Sequence, residues 1–273
     1  MSVTDTELSR MVDAVRQAGA AAMRYFRLGQ TVAKAADVRE KGFDDPLTNA
    51  DLEANRILQD LLLSGRPDWG WLSEESVDDA SRLQRERVWV VDPIDGTKEF
   101  IAGLPQFAVS VGLVVAGQPV AACVYNPAAD ELYTARRGGG TYLNGKSVRT
   151  SGRDQLLGAT CLASRSETQR GEWAPFETEF QLSIMGSIAY KLALVAAGRY
   201  DVTFTLTPKN EWDFCAGLLL VEEAGGRVTN RDGQPCRFNQ VKTRAASLLA
   251  SNGPLHDPLL ERLCHVPLTP DWQ

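Results

Sequence analysis

The sequence predicts an α/β protein in two halves, and three patterns lead to this prediction. Beyond residue 150, strand-like apolar runs alternate with helical runs, which is typical of an α/β arrangement. Before residue 150, helical segments precede strands and hairpin signals, as in an α+β arrangement. The apolar, β-branched run at residues 88–91 predicts a buried strand. We therefore expect an N-terminal α+β half, residues 1–150, and a C-terminal α/β half, residues 151–273.

The N-terminal half begins with two predicted helices. Residues 4–28 carry apolar side chains at helical intervals, and Gly29 is expected to end that helix. Residues 38–50 are polar and rich in turn formers, which predicts a loop or hairpin. A second helix is expected over residues 51–63, with Leu52 among its inward-facing residues. The remaining segments predict strands at residues 70–73 and 131–135 and a hairpin over 107–125.

The C-terminal half shows the alternation most clearly. Strands are expected at residues 158–163, 180–185, 200–206, 226–229 and 246–250. Helices are expected at residues 187–198, 211–224 and 256–264. Ser187 is a natural N-cap for its helix. Asp213 stands in the first turn of the next helix, where a carboxylate interacts well with the helix dipole.

The amino-acid composition limits which classes of molecule this protein is expected to bind. Apolar residues make up 44% of the chain and charged residues 23%, and the net charge is −6. This acidic balance lacks the basic footprint of a protein that binds a nucleic acid polymer. Five scattered cysteines without a Cys-x-x-Cys pair indicate reduced thiols and a cytoplasmic protein. No apolar stretch approaches 20 residues and no signal peptide follows Met1, so no membrane association is expected.

The stretch from Asp92 to Thr97 carries the strongest functional signal. Asp92 and Asp95 stand at the end of the predicted buried strand, where Pro93 cannot continue a hydrogen-bonded ladder. Carboxylates are hard oxygen ligands for Mg²⁺, and backbone amides after Gly96 could bind phosphate oxygens. The alternative is an ordinary turn, since Asp-Pro and Asp-Gly pairs are common turn formers.

Acidic residues elsewhere favour a site over a turn. They stand in three further segments, around Asp51, Glu74 and Asp213. In this order and spacing, the four segments resemble the inositol monophosphatase superfamily of magnesium-dependent, lithium-sensitive phosphatases. The motifs that carry the resemblance are Asp92-Pro93-Ile94-Asp95-Gly96-Thr97, Trp212-Asp213 and Ala216-Gly217. The continuation Gly96-Thr97-Lys98-Glu99-Phe100 is most similar to the CysQ branch, the 3'(2'),5'-bisphosphate nucleotidases.

The resemblance implies a layered αβαβα sandwich with the site between the two halves. It also implies two Mg²⁺ ions. Glu74, Asp92 and the backbone carbonyl of Ile94 would hold the first ion. Asp92, Asp95 and Asp213 would hold the second, and a third, weaker ion would bind near Glu74. The alternative for Glu74 is an acidic, solvated turn that it shares with Glu75.

Catalytic and substrate-binding residues are implied in the same way. Asp51 and Thr97 would orient and deprotonate the attacking water, with Glu74 as a third catalytic residue. A helix cap is the alternative role for Asp51. The residues expected to contact the substrate are Asp95, Gly96, Thr97, Ser187, Lys191, Lys209 and Asp213.

The substrate prediction depends on the residues before Trp212. Inositol-type enzymes carry a glutamate there, and this chain lacks one unless Glu211 serves. Lys209 suits a second phosphate, although an exposed loop lysine is the alternative. We therefore expect a phosphomonoesterase acting on 3'-phosphoadenosine 5'-phosphate. The alternatives are an inositol or sugar monophosphatase, and a non-catalytic partner-binding protein of the SuhB kind. A homodimer is compatible with either enzyme.

Overall fold

A seven-stranded sheet forms the first β layer. The computed structural model describes residues 3–32, 36–42 and 45–269. In spatial order the strands are β3 (Gly70–Ser73), β4 (Arg87–Asp95), β5 (Ala108–Val115), β6 (Gln118–Asn126), β7 (Glu131–Arg136), β8 (Gly140–Leu143) and β9 (Lys146–Val148). β3 and β4 are parallel, and every other neighbouring pair is antiparallel. A separate hairpin joins β1 (Arg39–Gly42) to β2 (Asp45–Leu47).

Both faces of β4 are covered, which explains its uninterrupted apolar sequence. Trp89 and Val91 point toward helices α1 (Asp5–Met23) and α2 (Asn49–Leu63). Val88 and Val90 alternate with them and belong to the core formed with α5 (Ile188–Ala196) and α6 (Glu211–Glu223). β4 therefore lies at the centre of two hydrophobic cores.

A five-stranded sheet forms the second β layer. Its strands, in spatial order, are β11 (Gln181–Met185), β10 (Thr160–Ser164), β12 (Val202–Thr205), β16 (Leu248–Ser251) and β14 (Arg227–Thr229). Its outer face is covered by α7 (His256–Leu263) and by an aromatic cluster in which the Trp173 and Phe204 rings lie 4.4 Å apart. Two short strands, β13 (Lys209–Asn210) and β15 (Arg244–Ala245), pair separately.

The layers follow the order α1/α2, seven-stranded sheet, α5/α6, five-stranded sheet, α7, so the predicted αβαβα sandwich is confirmed. α5 and α6 form the shared middle layer. They lie unusually close, because a Cβ added at Gly217 would stand 2.5 Å from Leu192 Cδ1. The division at residue 150 stays a prediction. No helix in the part of the chain that the structure describes is long and apolar enough to cross a membrane.

The structure corrects three details of the sequence prediction. α1 ends at Met23 rather than continuing to Gly29, because the chain leaves the helix to pack Phe26 against Phe107, with ring centroids 4.9 Å apart. Leu52 is 38% exposed rather than buried. The sequence analysis also missed the short helix α4 (Arg165–Gln169), whereas α3 (Thr97–Ile101) begins directly after Gly96, where a short helix start was expected. The other predicted helices are confirmed to within a few residues of their ends.

His256 makes the stability of the fold depend on pH. Its ring is buried between the hydroxyls of Thr229 and Ser251, at 2.9 and 3.0 Å. Burial, reinforced by Arg227, lowers the pKa of His256 to about 4. In the unfolded chain the same ring titrates near its ordinary value of about 6.5. Between these pH values the unfolded state binds more protons than the folded state, so stability falls as the pH is lowered.

We expect His256→Gln to flatten this dependence. In the native protein, lowering the pH from 7 to 5 should cost about 2 kcal/mol of unfolding free energy through this group. Urea unfolding at both pH values measures the loss, and the variant should lack that part of it. The exposed His265, changed to Gln, is the matched control and should retain the native slope. An equal slope in all three proteins would contradict the assignment.

Candidate active site

A polar cavity of about 280 Å³ opens where β4 ends and α3, α5 and α6 begin. It gathers most of the predicted site residues, which are Glu74, Asp92, Ile94, Asp95, Gly96, Thr97, Ser187, Lys191, Lys209 and Asp213. Asp51 is not in its lining and reaches it through a contact with Thr97. The structure therefore brings together residues from both halves of the sequence. The roles assigned to them stay predictions.

The end of β4 is irregular because of its sequence. The pairing of β4 with β5 shifts between Asp92 and Asp95, and Ile94 N donates to Asp92 Oδ1 at 3.1 Å. Gly96 then adopts a left-handed backbone with φ of 96°, and a Cβ there would stand 2.8 Å from Gln106 O. Only glycine tolerates this combination without strain. The turn directs both aspartates toward the cavity.

Asp95 and Asp213 are each oriented by the start of a helix. Asp95 Oδ2 accepts hydrogen bonds from Ser187 Oγ and Ala189 N, both at 2.6 Å. Ser187 also caps α5, as predicted, by accepting from the backbone N–H three residues later. Asp213 Oδ2 accepts from Asn210 N at 2.9 Å in the capping box of α6. Helix-capping geometry thus holds carboxylates from distant parts of the sequence at one cavity.

The buried carboxylates repel one another. Burial, followed by the charges of Glu74, Asp95 and Asp213, raises the pKa of Asp92 well above its usual range. Burial also raises the pKa of Asp213, and Asp95 and Glu74 add to that rise. For Asp95, burial raises the pKa to about 6, although the hydrogen bond from Ser187 opposes the rise. Such a group is stable in its charged form only beside a compensating cation.

Asp51 and Thr97 form a hydrogen-bonded pair at the cavity edge. Thr97 Oγ1 lies 3.1 Å from Asp51 Oδ1 and 3.0 Å from Ile94 O. The other carboxylate oxygen of Asp51 accepts from Thr48 N at 2.8 Å, within the capping box of α2. Asp51 therefore is a capping residue, as the alternative held, and also contacts the site. Burial raises its pKa to about 6, against the lowering effect of the Thr48 hydrogen bonds.

Glu74 has a cationic partner that the sequence did not reveal. Lys41 Nζ lies 2.7 Å from both Glu74 Oε1 and Glu75 Oε1. Burial lowers the pKa of Lys41, but the charges and hydrogen bonds of the two glutamates outweigh this and raise it. Glu74 and Glu75 therefore do not form the solvated acidic turn that was considered as the alternative. Lys41 comes from the β1–β2 hairpin and occupies the cation position beside Glu74.

The donor set suits Mg²⁺ in its chemistry. The cavity offers carboxylates and the Ile94 carbonyl, which are the oxygen ligands that a hard cation prefers. Within residues 3–32, 36–42 and 45–269, no three acidic, histidine or cysteine side chains are gathered as closely as one bound ion requires. The reason is local, since Glu74 is drawn to Lys41 while Asp95 is hydrogen-bonded to Ser187. The donor set therefore fits Mg²⁺ in its chemistry, and Glu74 would have to leave Lys41 to bind an ion.

Lys209 also has a partner that the sequence analysis missed. Its Nζ lies 3.2 Å from Glu167 Oε1, a buried carboxylate on α4. Glu211, considered as a substitute for the inositol-type glutamate, instead accepts from Asn239 N and Gln240 N at 2.6 and 2.9 Å. It therefore faces away from the cavity. Ser164 and Glu167 have the spacing of a helix cap, a signal that could have indicated α4, but nothing in the sequence indicated that Glu167 lies beside Lys209.

Comparison with known proteins agrees with this fold. The model of the inositol monophosphatase family matches residues 5–266. An inositol-1-monophosphatase of Rhizobium meliloti is 39% identical over 83% of this chain and 86% of its own length. A Nus factor SuhB of Xylella fastidiosa is 33% identical over 89% of this chain and 88% of its own length. The solved structure of the extragenic suppressor protein suhB from Bartonella henselae superposes with a TM-score of 0.80, at 32% identity over 94% of this chain and 98% of that one.

These matches define a metal-dependent phosphoric monoester hydrolase. The chain belongs to the inositol monophosphatase family. The relatives named above are inositol monophosphatases or SuhB factors, so they do not support the narrower resemblance to the CysQ branch. The superfamily prediction is confirmed, while the branch prediction is not.

We expect Lys41→Met to strengthen Mg²⁺ binding at Glu74, because the variant removes a competing ammonium group. An exposed ion pair is worth up to about 1 kcal/mol, so half-maximal thermal stabilisation should need about fivefold less Mg²⁺. Melting curves measured in chelator and over a Mg²⁺ series test this without an activity assay. Without Mg²⁺, the variant should melt below the native protein, since two neighbouring carboxylates lose their partner.

Lys146→Met, on the exposed β8–β9 hairpin, is the matched control and should leave the Mg²⁺ dependence unchanged. A Lys41 variant that needs as much Mg²⁺ as the native protein, or more, would show that Lys41 does not compete for Glu74.

Proposed function

We propose that this protein is a Mg²⁺-dependent phosphatase that hydrolyses a small phosphorylated polyol or sugar, with inositol 1-phosphate as the representative substrate. The observation that carries the proposal is the cavity in which Glu74, Asp92, Asp95 and Asp213 meet. Neither histidine of the chain lines this cavity, so a phosphohistidine route has no nucleophile there. The inositol-1-monophosphatase relative supports this class of substrate.

Two ions, with a weaker third near Glu74, fit the proposed ligands. Glu74, Asp92 and the Ile94 carbonyl would hold the first ion, and Asp92, Asp95 and Asp213 the second. The Ile94 oxygen, 3.0 Å from Thr97 Oγ1, has two lone pairs, so it could bind an ion while the Thr97 hydroxyl donates to Asp51. When bound, Mg²⁺ supplies Lewis acidity to the phosphate oxygens. The burial and mutual repulsion of these carboxylates support such a cation site.

Thr97 and Asp51 are the proposed proton-accepting pair. A water molecule beside Thr97 Oγ1 would donate a proton toward the hydroxyl, which in turn donates to Asp51 Oδ1 at 3.1 Å. The pKa of about 6 suits Asp51 to this role, since it is ionised at neutral pH and still basic enough to accept a proton. Glu74, at the same cavity, is the third proposed catalytic group.

The remaining cavity residues would bind the substrate. The amides of Gly96 and Thr97 are proposed to hold the phosphate group. Ser187 and Lys191 would contact it from α5, and Asp95, Lys209 and Asp213 would border the leaving group. A cytoplasmic location, supported by five free cysteines, and a homodimer are further proposals.

The nucleotidase prediction has less support than its alternative. It depended on the Gly96–Phe100 motif, on the missing inositol-type glutamate and on Lys209 as a cation for a second phosphate, and that lysine is paired with Glu167. The inositol-1-monophosphatase relative also favours an inositol-type substrate over a bisphosphate nucleotide. A non-catalytic role of the SuhB kind is less favoured, because all the proposed metal ligands are present. Both alternatives are outcomes of the experiment below.

Phosphate release with Mg²⁺ should be faster from inositol 1-phosphate than from 3'-phosphoadenosine 5'-phosphate. Asp92→Asn should abolish release from both, because a neutral amide in place of the shared ligand holds Mg²⁺ poorly. Steady-state kcat/KM for each ester measures the preference, and circular dichroism confirms that the variant is folded. Preference for the bisphosphate would favour the nucleotidase, and no release from any phosphate ester would favour a partner-binding role.

Thr97→Ala and Asp51→Asn should each lower kcat by about 10²–10⁴-fold, the usual contribution of general-base assistance. Their effect on Mg²⁺ affinity should be small, because neither side chain is a proposed ligand. The double variant should be little slower than the more damaged single variant, since groups that act as a unit give non-additive losses. Multiplicative losses in kcat would show that the two residues act separately.

A further inference from the structure

Two buried charged side chains, Glu167 and Lys191, and the half-buried Lys209 form a cluster at the cavity, and their charges do not match one to one. Glu167 is 1% exposed and Lys191 is 2% exposed, and Lys209 reaches Glu167 from the β13 strand at 3.2 Å. Burial lowers the pKa of Lys191, while the charge of Glu167 opposes that change. Burial alone would raise the pKa of Glu167, but Lys209 and Lys191 together lower it. Within this cluster, one carboxylate therefore faces two ammonium groups.

Glu167 is held rigidly in this position. Its Oε1 accepts from Thr205 Oγ1 at 2.6 Å, and its Oε2 accepts from Trp173 Nε1 at 3.2 Å. Both donors belong to the core of the five-stranded sheet. Glu167 does not line the cavity itself, whereas Lys191 and Lys209 do. It therefore acts on the substrate region only through the ammonium groups.

A cationic side chain at the rim of the cavity is also paired with a carboxylate. Arg165, which also lines the cavity, lies 3.2 Å from the buried Glu99 Oε1. Asp213 adds a further negative charge near Lys209. A second phosphate on the substrate would therefore approach cations that are already compensated. A leaving group with neutral hydroxyls carries no charge that needs compensation, and the ammonium groups can still donate hydrogen bonds to it.

We propose that Glu167 is a specificity-determining residue, which compensates Lys209 and so restricts the site to monoesters with a neutral, hydroxylated leaving group. This inference rests on the phosphatase function proposed above and narrows its substrate class. Removing the charge of Glu167 should take away the ion-pair partner of Lys209 and make this part of the cavity more positive by one charge. The wall beside the leaving group would then attract a second anionic group.

A matched pair of substrates tests the proposal. Inositol 1-phosphate and inositol 1,4-bisphosphate share the same ester and differ by one phosphate on the ring. The quantity measured is the ratio of kcat/KM for removal of the 1-phosphate, bisphosphate over monophosphate, with products separated by chromatography. Glu167→Gln should raise this ratio about tenfold, mainly through KM, because one charge at a partly buried site acts with that strength.

Two further variants separate specificity from stability. Glu172→Gln makes the same charge change on a neighbouring carboxylate whose partners are Arg170, Thr207 and Thr269, and should leave the ratio at its native value. Glu167→Gln combined with Lys209→Gln removes both members of the pair and should bring the ratio back toward the native value. Simple loss of stability would not produce this return.

The possible outcomes distinguish a failure of the Glu167 proposal from a failure of the proposed phosphatase function. A folded Glu167→Gln protein with an unchanged ratio overturns the inference and leaves the phosphatase function intact. If that variant does not fold, Lys209→Gln alone decides, since the proposal requires its ratio to fall below the native value and an unchanged ratio refutes it. If the native protein hydrolyses neither ester with Mg²⁺, both the function and the inference fail.

Discussion

The repulsion among buried carboxylates is the constraint on which the rest of this structure depends. Asp92 and Asp95 are buried and Asp213 is half-buried, and all three line one cavity beside the larger hydrophobic core. Each would be unstable there as a free anion. Hydrogen bonds from backbone amides at helix starts and from the Ser187 hydroxyl, together with nearby ammonium groups, stabilise the charged carboxylates. A fold that concentrates negative charge in this way is prepared for a divalent cation.

Two lysine side chains form ion pairs with glutamates at or near the cavity, and the two pairs differ in position. Lys41 contacts Glu74, a proposed metal ligand, directly. Lys209 contacts Glu167, which lies behind the cavity wall. If the proposed metal assignment holds, the first contact would break when an ion binds at Glu74, whereas the second could persist. We therefore expect the Lys41–Glu74 ion pair to be replaceable by a metal ion and the Lys209–Glu167 ion pair to stay intact.

Local patterns predicted the scaffold because local forces build it. The run at residues 88–91 is apolar on both faces of its strand, and that strand is covered by helices on both sides. The motif from Asp92 to Thr97 could be identified because proline, glycine and two carboxylates act within a single turn. Ser187 and Asp213 were predictable as helix-start residues for the same reason.

The missed features are those that tertiary contact creates. Glu167 meets Lys209 across 42 positions of sequence (209 − 167), and no periodicity or turn signal marks that meeting. Lys41 likewise reaches Glu74 from another element. The nucleotidase prediction depended on the charge of Lys209 without its partner, so it overestimated the positive field. A lysine in a sequence gives its charge, but only the fold gives its counter-ion.

The close contact at Gly217 links the middle layer to the chemistry. α5 carries Ser187 at its start together with Lys191, while α6 carries Asp213, so the spacing of these two helices sets the separation of their polar groups. Leu192 fills the space that any larger side chain at position 217 would need. The distance between the two helices therefore depends on the absence of a side chain at position 217. Packing in the apolar interior thus fixes how far apart the polar groups of the candidate site lie.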